Sequence, residues 1–302
     1  MTIVEEMLRW IAEADPPAAA VAFLQRQMTD DGGFKGRGGK SDLYYTVFAL
    51  QALLGLNADV PRHRVREYLE RFGLGDGLDL VHLGCLMRAW WLEAAMSTDA
   101  SPGNAARRAM RERVEAFRSA DGGYGLLRGE ASSSVYATFV AVSAWQDAGQ
   151  APPEPERLAD TVWAMLADDG GFANDAVIAV PTTPSTAAAL TALRHLGQTP
   201  PESAVRWLLD RADGDGGFFA FDGAPETDLL STATALHAIK ETRLPAAAQA
   251  DVDEKLAALA DANRRFLSRL WTPDGGFRGS LSDDQADPEY TFYGLLTLGH
   301  LA

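Results

Sequence analysis

Five short turns of the form Asp-Gly-Gly-aromatic divide the chain, and their recurrence constrains the fold more than any other feature. They occupy residues 31–34, 121–124, 169–172, 215–218 and 274–277. Successive turns begin 90, 48, 46 and 59 residues apart, so the first interval spans two repeats and one unit lacks the marker. A period in the forties, with one amphipathic segment before each turn and a more apolar one after it, is typical of stacked helix pairs.

Two kinds of helix alternate along the chain. The segment before the first turn has one apolar stripe, which predicts a half-buried helix, whereas residues 43–54 are apolar almost all round, which predicts a helix buried on every side. Outer-type helices are predicted near residues 17–29, 62–73, 105–118, 154–167, 201–212 and 251–270. Inner-type helices are predicted near residues 42–55, 79–96, 132–147, 183–197, 227–240 and 287–301.

Closure of the repeats into a ring follows from the end of the chain. An open stack of repeats needs a polar capping unit at each end, but the last predicted helix is apolar through Leu298. We therefore predict one all-α domain over residues 1–302, a six-fold α/α barrel of about twelve helices in two concentric rings. The repeats occupy residues 17–302, and residues 1–14 form an extra amphipathic helix.

Composition excludes several classes of protein. The formal net charge is −15, which disfavours nucleic acid and anionic membranes as partners. No apolar run reaches the roughly 18–20 residues that span a bilayer, and the N-terminus lacks the basic region of a secretory signal. A single cysteine, Cys85, excludes a disulfide framework. We expect a cytoplasmic protein; a partner protein or a homodimer stays open.

The repeat resembles one that is shared by protein prenyltransferase β subunits and by squalene and triterpene cyclases. The resemblance rests on Phe-Leu-Gln-Arg-Gln at residues 23–27 running into the first turn, and on Ser-Asp-Leu-Tyr-Tyr-Thr at residues 41–46. It covers residues 17–302. It implies the six-fold α/α barrel and a hydrophobic, isoprenoid-like substrate held inside it, but one fold hosts several chemistries.

The zinc site of the prenyltransferase β subunits is matched only in part. The resemblance implies an Asp-x-Cys at the start of the fifth inner helix and a His at the start of the sixth. Here Asp228 occupies the first position, but Leu230 and Tyr290 occupy the other two. Because leucine cannot coordinate a metal and catalytic zinc needs three protein ligands, we expect no metal and no cofactor.

Acidic residues before the fifth and sixth inner helices are candidates for acid catalysis. The resemblance to class II cyclases implies an Asp-x-Asp-Asp motif, of which only Asp228 is matched. A carboxyl group that faces an apolar cavity has a raised pKa and can donate a proton near neutral pH. The alternative is that Asp228 and Asp287 cap the helices that follow. The candidate catalytic residues are Asp228, Glu226, Asp287, Glu289 and Tyr290.

Aromatic residues on or near the inner helices predict an apolar pocket whose π faces would stabilise a cation. The alternative for any single ring is packing in the core, since a helix turns only part of its circumference towards the lumen. The candidate substrate-binding residues are Tyr44, Tyr45, Phe48, Trp90, Trp91, Tyr136, Phe219, Phe221 and Tyr293.

Basic residues are candidates for two further roles. Lys35, Arg37 and Lys40 form a basic loop before the first inner helix, which either holds an anion at the helix N-terminus or is simply solvated. Arg88 lies within an otherwise apolar inner helix, where a buried charge needs a partner. Either Glu93 or an acid from the next helix would supply it.

Three functions remain open on the sequence. We favour a terpene-cyclase-like, zinc-independent enzyme that acts on an isoprenoid or similar hydrophobic substrate by acid-initiated cyclisation or isomerisation. The second hypothesis is a transferase that resembles prenyltransferase β subunits and needs a partner chain. The third is a non-catalytic barrel that binds a hydrophobic ligand or a peptide.

Overall fold

The computed structural model describes residues 1–96 and 103–302. Two antiparallel pairs of two-residue strands, with Phe34 opposite Asp42 and Phe218 opposite Asp228, accompany the helices. The elements in the described residues are α1 (Ile3–Glu13), α2 (Ala19–Arg26), β1 (Phe34–Lys35), β2 (Ser41–Asp42), α3 (Leu43–Gly55), α4 (Arg62–Glu70), α5 (Leu80–Ala95), α6 (Gly103–Glu115), α7 (Val135–Asp147), α8 (Pro155–Trp163), α9 (Thr183–His195), α10 (Glu202–Leu209), β3 (Phe218–Phe219), β4 (Thr227–Asp228), α11 (Leu229–Glu241), α12 (Ala246–Leu270) and α13 (Pro288–His300).

Six helices form a closed inner ring. Helices α3, α5, α7, α9, α11 and α13 each pack against the next, and α13 packs back against α3. The shorter amphipathic helices α2, α4, α6, α8 and α10, together with the longer α12, form the outer ring. The predicted all-α six-fold barrel with its extra N-terminal helix is therefore confirmed. Two details differ from the prediction: α12 begins at Ala246 rather than near residue 251, and four short strands are present.

The repeated turn ties each outer helix to the inner helix that follows. In the first turn Gly32 has φ +91°, and a Cβ there would lie 2.0 Å from the carbonyl oxygen of Arg64, so only glycine fits. The buried Phe34 donates its backbone N–H to Thr46 Oγ1 of α3 at 2.9 Å. The same bond recurs in all four other turns, from Tyr124, Phe172, Phe218 and Phe277 to the hydroxyls of Thr138, Thr186, Thr232 and Thr291.

All six inner helices begin at the same end of the barrel, which we call the mouth. The first residues of α5, α7, α9 and α11 bond to loops of the next repeat: the Leu229 N–H, for example, donates to the Gly279 carbonyl at 2.8 Å. Each inner helix has a polar N-cap whose side chain accepts a backbone N–H. These caps are Asp42, Asp79, Ser134, Thr182, Asp228 and Asp287.

Helix α1 covers the opposite end of the barrel, where the inner helices finish. Its Ile3 N–H donates to Gln146 Oε1 on α7 at 3.0 Å, and its buried Glu6 pairs with Arg194 on α9 at 2.8 Å. The backbone of Trp10 touches α13 so closely that a Cβ on Gly299 would lie 1.8 Å from the Trp10 carbonyl oxygen. Helix α1 therefore plugs the end of the barrel opposite the mouth. Within the described residues, no helix combines the length and the apolar character that a membrane span requires.

Candidate functional site

A cavity of about 380 Å³ lies inside the inner ring. Its wall residues recur every three or four positions on each inner helix, as Tyr44, Val47, Phe48 and Gln51 do on α3, because that spacing keeps side chains on one helical face. The small side chains of Ala187 and Ala188 on α9 leave room for the cavity, and Met7 of α1 closes its bottom. A mostly apolar cavity of this size is within the range of about 300–1,000 Å³ that small-molecule sites occupy.

Four of the nine aromatic candidates line this cavity: Tyr44, Phe48, Tyr136 and Tyr293. The structure does not place the other five on its wall. Trp90 is buried in the core, Trp91 and Tyr45 lie on other faces of their helices, Phe219 is in β3, and Phe221 is exposed in the loop that follows.

Two further rings, Phe139 and Phe292, complete the aromatic wall. Phe139 was missed from the sequence, although its position three residues after Tyr136 is the helical signal for a shared face. Phe48 contacts Phe292 and Tyr293 with centroids 5.2 and 5.5 Å apart. Rings at these distances form an edge-and-face cluster that can stabilise positive charge.

One candidate acid, Glu289, lies on the cavity wall, in the first turn of α13. Tyr44 donates its hydroxyl to Glu289 Oε1 at 2.7 Å. Burial raises the pKa of the Glu289 carboxyl, and the nearby charge of Asp287 raises it further, against the hydrogen bond from Tyr44. A carboxyl in this environment holds its proton to higher pH than a solvated one.

The structure does not place Asp228 and Asp287 on the cavity wall, because both carboxylates face the start of their own helices. Asp228 Oδ1 accepts the Ser231 N–H at 2.7 Å and its Oδ2 accepts the Ser231 hydroxyl at 2.8 Å. Asp287 accepts the Tyr290 N–H at 2.9 Å and pairs with Arg37 at 2.8 Å. Burial raises the pKa of both carboxyls despite these bonds. The capping alternative therefore describes their geometry.

Glu226 and Tyr290 also lie at the mouth rather than on the cavity wall. Ser282 and Ser280 donate their hydroxyls to Glu226, and these bonds hold the pKa of its carboxyl below the ordinary value. The Tyr290 ring lies 5.5 Å from the guanidinium carbon of Arg37, and burial raises the pKa of its hydroxyl to about 12. Neither group is suited to donate a proton near neutral pH.

The basic loop is tied to the last repeat. Arg37 donates to Asp287 Oδ2 at 2.8 Å and to both carboxylate oxygens of Asp283. The carboxylates of Asp283 and Asp287 raise the pKa of Arg37 above its ordinary value and balance its positive charge. Lys35 is part of β1, and Lys40 is exposed. The loop thus joins the first repeat to the last and closes the ring. Arg37 is already paired with two carboxylates.

A buried polar cluster lies at the bottom of the cavity. Arg88 Nε donates to Asp147 Oδ2 at 2.6 Å, and Arg88 Nη1 donates to Gln51 Oε1 at 3.0 Å. The partner of Arg88 is thus Asp147, at the end of α7, the neighbouring helix of the inner ring. All three residues, with Ser143 of α7, line the cavity. We call Gln51, Arg88, Ser143 and Asp147 the basal cluster.

The side chains at the zinc positions of the prenyltransferases do not fit a zinc ion. Both oxygens of Asp228 are bonded to Ser231, Leu230 offers no donor atom, and Tyr290 keeps its proton at neutral pH. Among residues 1–96 and 103–302, no group of three or more His, Cys, Asp or Glu side chains is arranged to hold a metal.

Comparison with solved structures shows the same fold over almost the whole chain. Type II terpene cyclase MstE from Scytonema is 16% identical, with a TM-score of 0.63 and coverage of 99% of this chain and 97% of that one. Candida albicans protein geranylgeranyltransferase-I complexed with GGPP is 13% identical, with a TM-score of 0.64 and coverage of 98% and 90%. The GH76A α-1,6-mannanase from Salegentibacter is 11% identical, with a TM-score of 0.62 and coverage of 93% and 97%.

At these identities the likeness shows the fold alone, and the three proteins differ in chemistry. No curated protein sequence is significantly similar to this chain. The model of the prenyltransferase alpha-alpha toroid domain, however, matches residues 5–151 and 134–302. Its two matches overlap in the middle and together reach from the first helix to the last residue, as expected for a ring of similar repeats. The chain belongs to the prenyltransferase alpha-alpha toroid domain family.

Proposed function

We propose that this protein is a zinc-independent enzyme that cyclises or isomerises an isoprenoid-like substrate, with Glu289 as the general acid. The observation on which the proposal rests is the half-buried Glu289 carboxyl, which has a raised pKa, lies at the top of an aromatic cavity and accepts a hydrogen bond from Tyr44. MstE, which shares the fold, is a terpene cyclase described in complex with geranylgeranyl dihydroxybenzoate as its substrate.

The proposed reaction begins with proton transfer. The Glu289 O–H bond breaks, and the π electrons of a substrate double bond form the new C–H bond, which leaves a cation on the neighbouring carbon. A second double bond attacks that cation in a cyclisation, or a proton leaves the adjacent carbon in an isomerisation. The carboxylate recovers a proton when the final cation loses one, so substrate and product have the same formula. Phe48, Phe292 and Tyr293 would stabilise the cation through their π faces.

The mouth favours an uncharged reacting group over a diphosphate. Four of the six inner-helix caps are aspartates, Asp42, Asp79, Asp228 and Asp287, and Glu289 adds a fifth carboxyl. Arg37, in the basic loop, is already paired with Asp283 and Asp287. A diphosphate entering here would meet like charge, so protonation of an olefin suits the site better than loss of diphosphate.

Product analysis tests the proposal. The protein, with and without a chelator, is incubated with linear isoprenoid alcohols, hydrocarbons and diphosphates, and products are separated by gas chromatography with mass detection. We expect isomers of an uncharged substrate, unchanged by the chelator and absent with Glu289→Gln. Glu202→Gln, at an exposed ion pair of α10, is the matched control. Loss of product with Asp228→Asn but not with Glu289→Gln would assign the acid to Asp228 instead.

A second candidate function is a transferase or binding barrel that works with a partner protein. The observation in its favour is the loop before α9, where Val177, Ile178 and Val180 are 90%, 67% and 55% exposed at the mouth. Exposed apolar patches commonly mark interaction sites. A bound isoprenoid that is recovered unchanged under all conditions would favour this candidate over the cyclase.

A further inference from the structure

The basal cluster contains polar atoms that the protein leaves without partners. Asp147 Oδ1 and Ser143 Oγ are both buried, and neither has a hydrogen-bond partner among residues 1–96 and 103–302. Asp147 is 1% exposed and Ser143 is 8% exposed. Because an unsatisfied buried polar atom destabilises the folded protein, such atoms in a native protein call for an explanation.

The position of these atoms indicates a ligand rather than a structural role. Ser143 and Asp147 are four residues apart on α7, so they share one face of that helix, and both line the cavity. His237 of α11, which also lines the cavity, has an Nε2 with no hydrogen-bond partner in the described part of the chain. Its nearest charged neighbour at that atom is Glu6, at 3.8 Å, which is too far for a hydrogen bond.

The charges of the cluster select the chemistry of the ligand. Arg88 is paired with Asp147 at 2.6 Å and also bonds to Gln51, so the atoms left for a ligand are the free carboxylate oxygen of Asp147 and the Ser143 hydroxyl. Asp147 Oδ1 can accept a hydrogen bond, while Ser143 Oγ can donate or accept one. A hydroxyl group satisfies both, because it donates to the first atom and accepts from the second.

We propose that the basal cluster binds the hydroxyl group of an isoprenoid alcohol, which enters the cavity polar end first. This inference rests on the proposed function and names its substrate class. On α7, Tyr136 at the top of the cavity and Ser143 at the bottom are seven residues apart, or about 10 Å along the helix. A chain anchored at Ser143 and Asp147 therefore extends along the aromatic wall towards Glu289, and its far double bond is the one presented to the acid.

A binding experiment compares three probes: farnesol, the same chain with its hydroxyl replaced by hydrogen, and farnesyl diphosphate. Their affinities are measured by displacement of a fluorescent isoprenoid from the full-length protein. We expect farnesol to bind more tightly than both other probes. Ser143→Ala should lower the affinity for farnesol by about three- to tenfold, which is the effect of one lost hydrogen bond. It should leave the affinity for the hydrocarbon unchanged.

The control variant is Thr297→Val, which also removes a buried hydroxyl group. That hydroxyl is not on the cavity wall and donates to the backbone carbonyl of Tyr293 on its own helix at 2.8 Å. It should change neither affinity. Equal binding of alcohol and hydrocarbon, or equal weakening of both by Ser143→Ala, would overturn the inference and leave the proposed function standing. Tighter binding of the diphosphate would overturn it as well, and failure of all three probes to bind would overturn both proposals.

Discussion

The guanidinium of Arg37 and the carboxylate of Asp287 lie 2.8 Å apart and join the first repeat to the last. Asp287 simultaneously caps α13 by accepting the Tyr290 N–H. One buried carboxylate thus closes the ring and begins its last inner helix. This double role explains why neither residue is free for catalysis or anion binding.

The capping role of Asp287 predicts different effects for two substitutions. Asp287→Ala removes the acceptor for the Tyr290 N–H, and loss of such a cap costs about 0.5–2 kcal/mol. Asp287→Asn keeps an acceptor oxygen and loses only the charge that faces Arg37, which is partly exposed. Urea unfolding should show the alanine variant to be clearly the less stable. Equal midpoints for the two variants would mean that the ion pair, not the cap, is the main contribution.

The raised pKa of Glu289 predicts both the pH profile and a stability effect. Turnover should need the protonated acid and should fall as the pH rises through its folded pKa. Because that pKa is raised, the neutral form favours the folded state, so the stabilisation is present at low pH and is lost as the pH rises. Glu289→Gln should therefore gain stability relative to the parent protein with rising pH. A constant difference between their melting temperatures would contradict this.

The buried Glu6 of α1 makes the stability of the protein depend on pH in the acid range. Burial opposes its ionisation, but hydrogen bonds from His195 and Arg194 outweigh burial and lower the pKa of Glu6 to about 2. A depressed carboxyl pKa contributes stability above its ordinary pKa of 4.5, and that stability is lost as the pH falls towards 2. The shift corresponds to about 3 kcal/mol.

The test of that prediction is urea unfolding between pH 5 and about pH 2. Glu6→Gln should be less stable by about 3–5 kcal/mol at neutral pH, because it leaves Arg194 without its partner, and its stability should fall less steeply with acid. Glu13→Gln, on an exposed position of the same helix, should behave like the parent protein. Parallel pH curves for the Glu6 variant and the parent would refute the linkage.

Contact between α1 and α13 predicts a size limit at Gly299. A Cβ there would lie 1.8 Å from the carbonyl oxygen of Trp10, so Gly299→Ala must displace α1. Forced overpacking of this kind costs typically 1–3 kcal/mol. Gly38→Ala adds the same methyl group where no atom lies within 4 Å, and it should be nearly neutral. Thermal unfolding of the two variants decides the matter, and similar melting temperatures would show that α1 moves freely.

Cys85 provides a reporter for occupancy of the cavity. It lies on the cavity wall, it is 9% exposed, and burial raises the pKa of its thiol to about 12. Alkylation by N-ethylmaleimide should therefore be slow, since the thiolate is the reactive form. A bound isoprenoid should slow it further, as measured by intact-protein mass. An unchanged alkylation rate at saturating ligand would place the ligand outside the cavity.

Much of the architecture was predictable because it depends on local interactions. The Gly-Gly turns stop one helix, the apolar segments build the next, and the polar residue before each inner helix caps it, as at Asp228 and Asp287. The threonines that bond each turn aromatic, such as Thr46, were missed, although their recurrence 12 or 14 residues after the aromatic is present in the sequence. The six helix pairs and the apolar last helix then indicated a closed six-fold ring, which the resemblance of the repeats also implied.

The site was less predictable because it depends on how each helix is rotated about its axis. Tyr44 and Tyr45 are adjacent, yet only Tyr44 reaches the cavity, since consecutive residues point about 100° apart on a helix. The almost uniformly apolar inner helices have no polar face that would reveal which side meets the lumen. Sequence periodicity therefore indicated an aromatic pocket without assigning its rings.

The sequence by itself determined the repeat and the alternation of half-buried and buried helices, because both follow from the identity and spacing of residues. The tertiary structure decided which acid meets the cavity and which charges are already paired. Tyr44 and Glu289 are 245 residues apart in sequence, and Arg88 and Asp147 are 59 apart. Contacts over such separations exist only after the ring has closed, so no local pattern in the sequence specifies them.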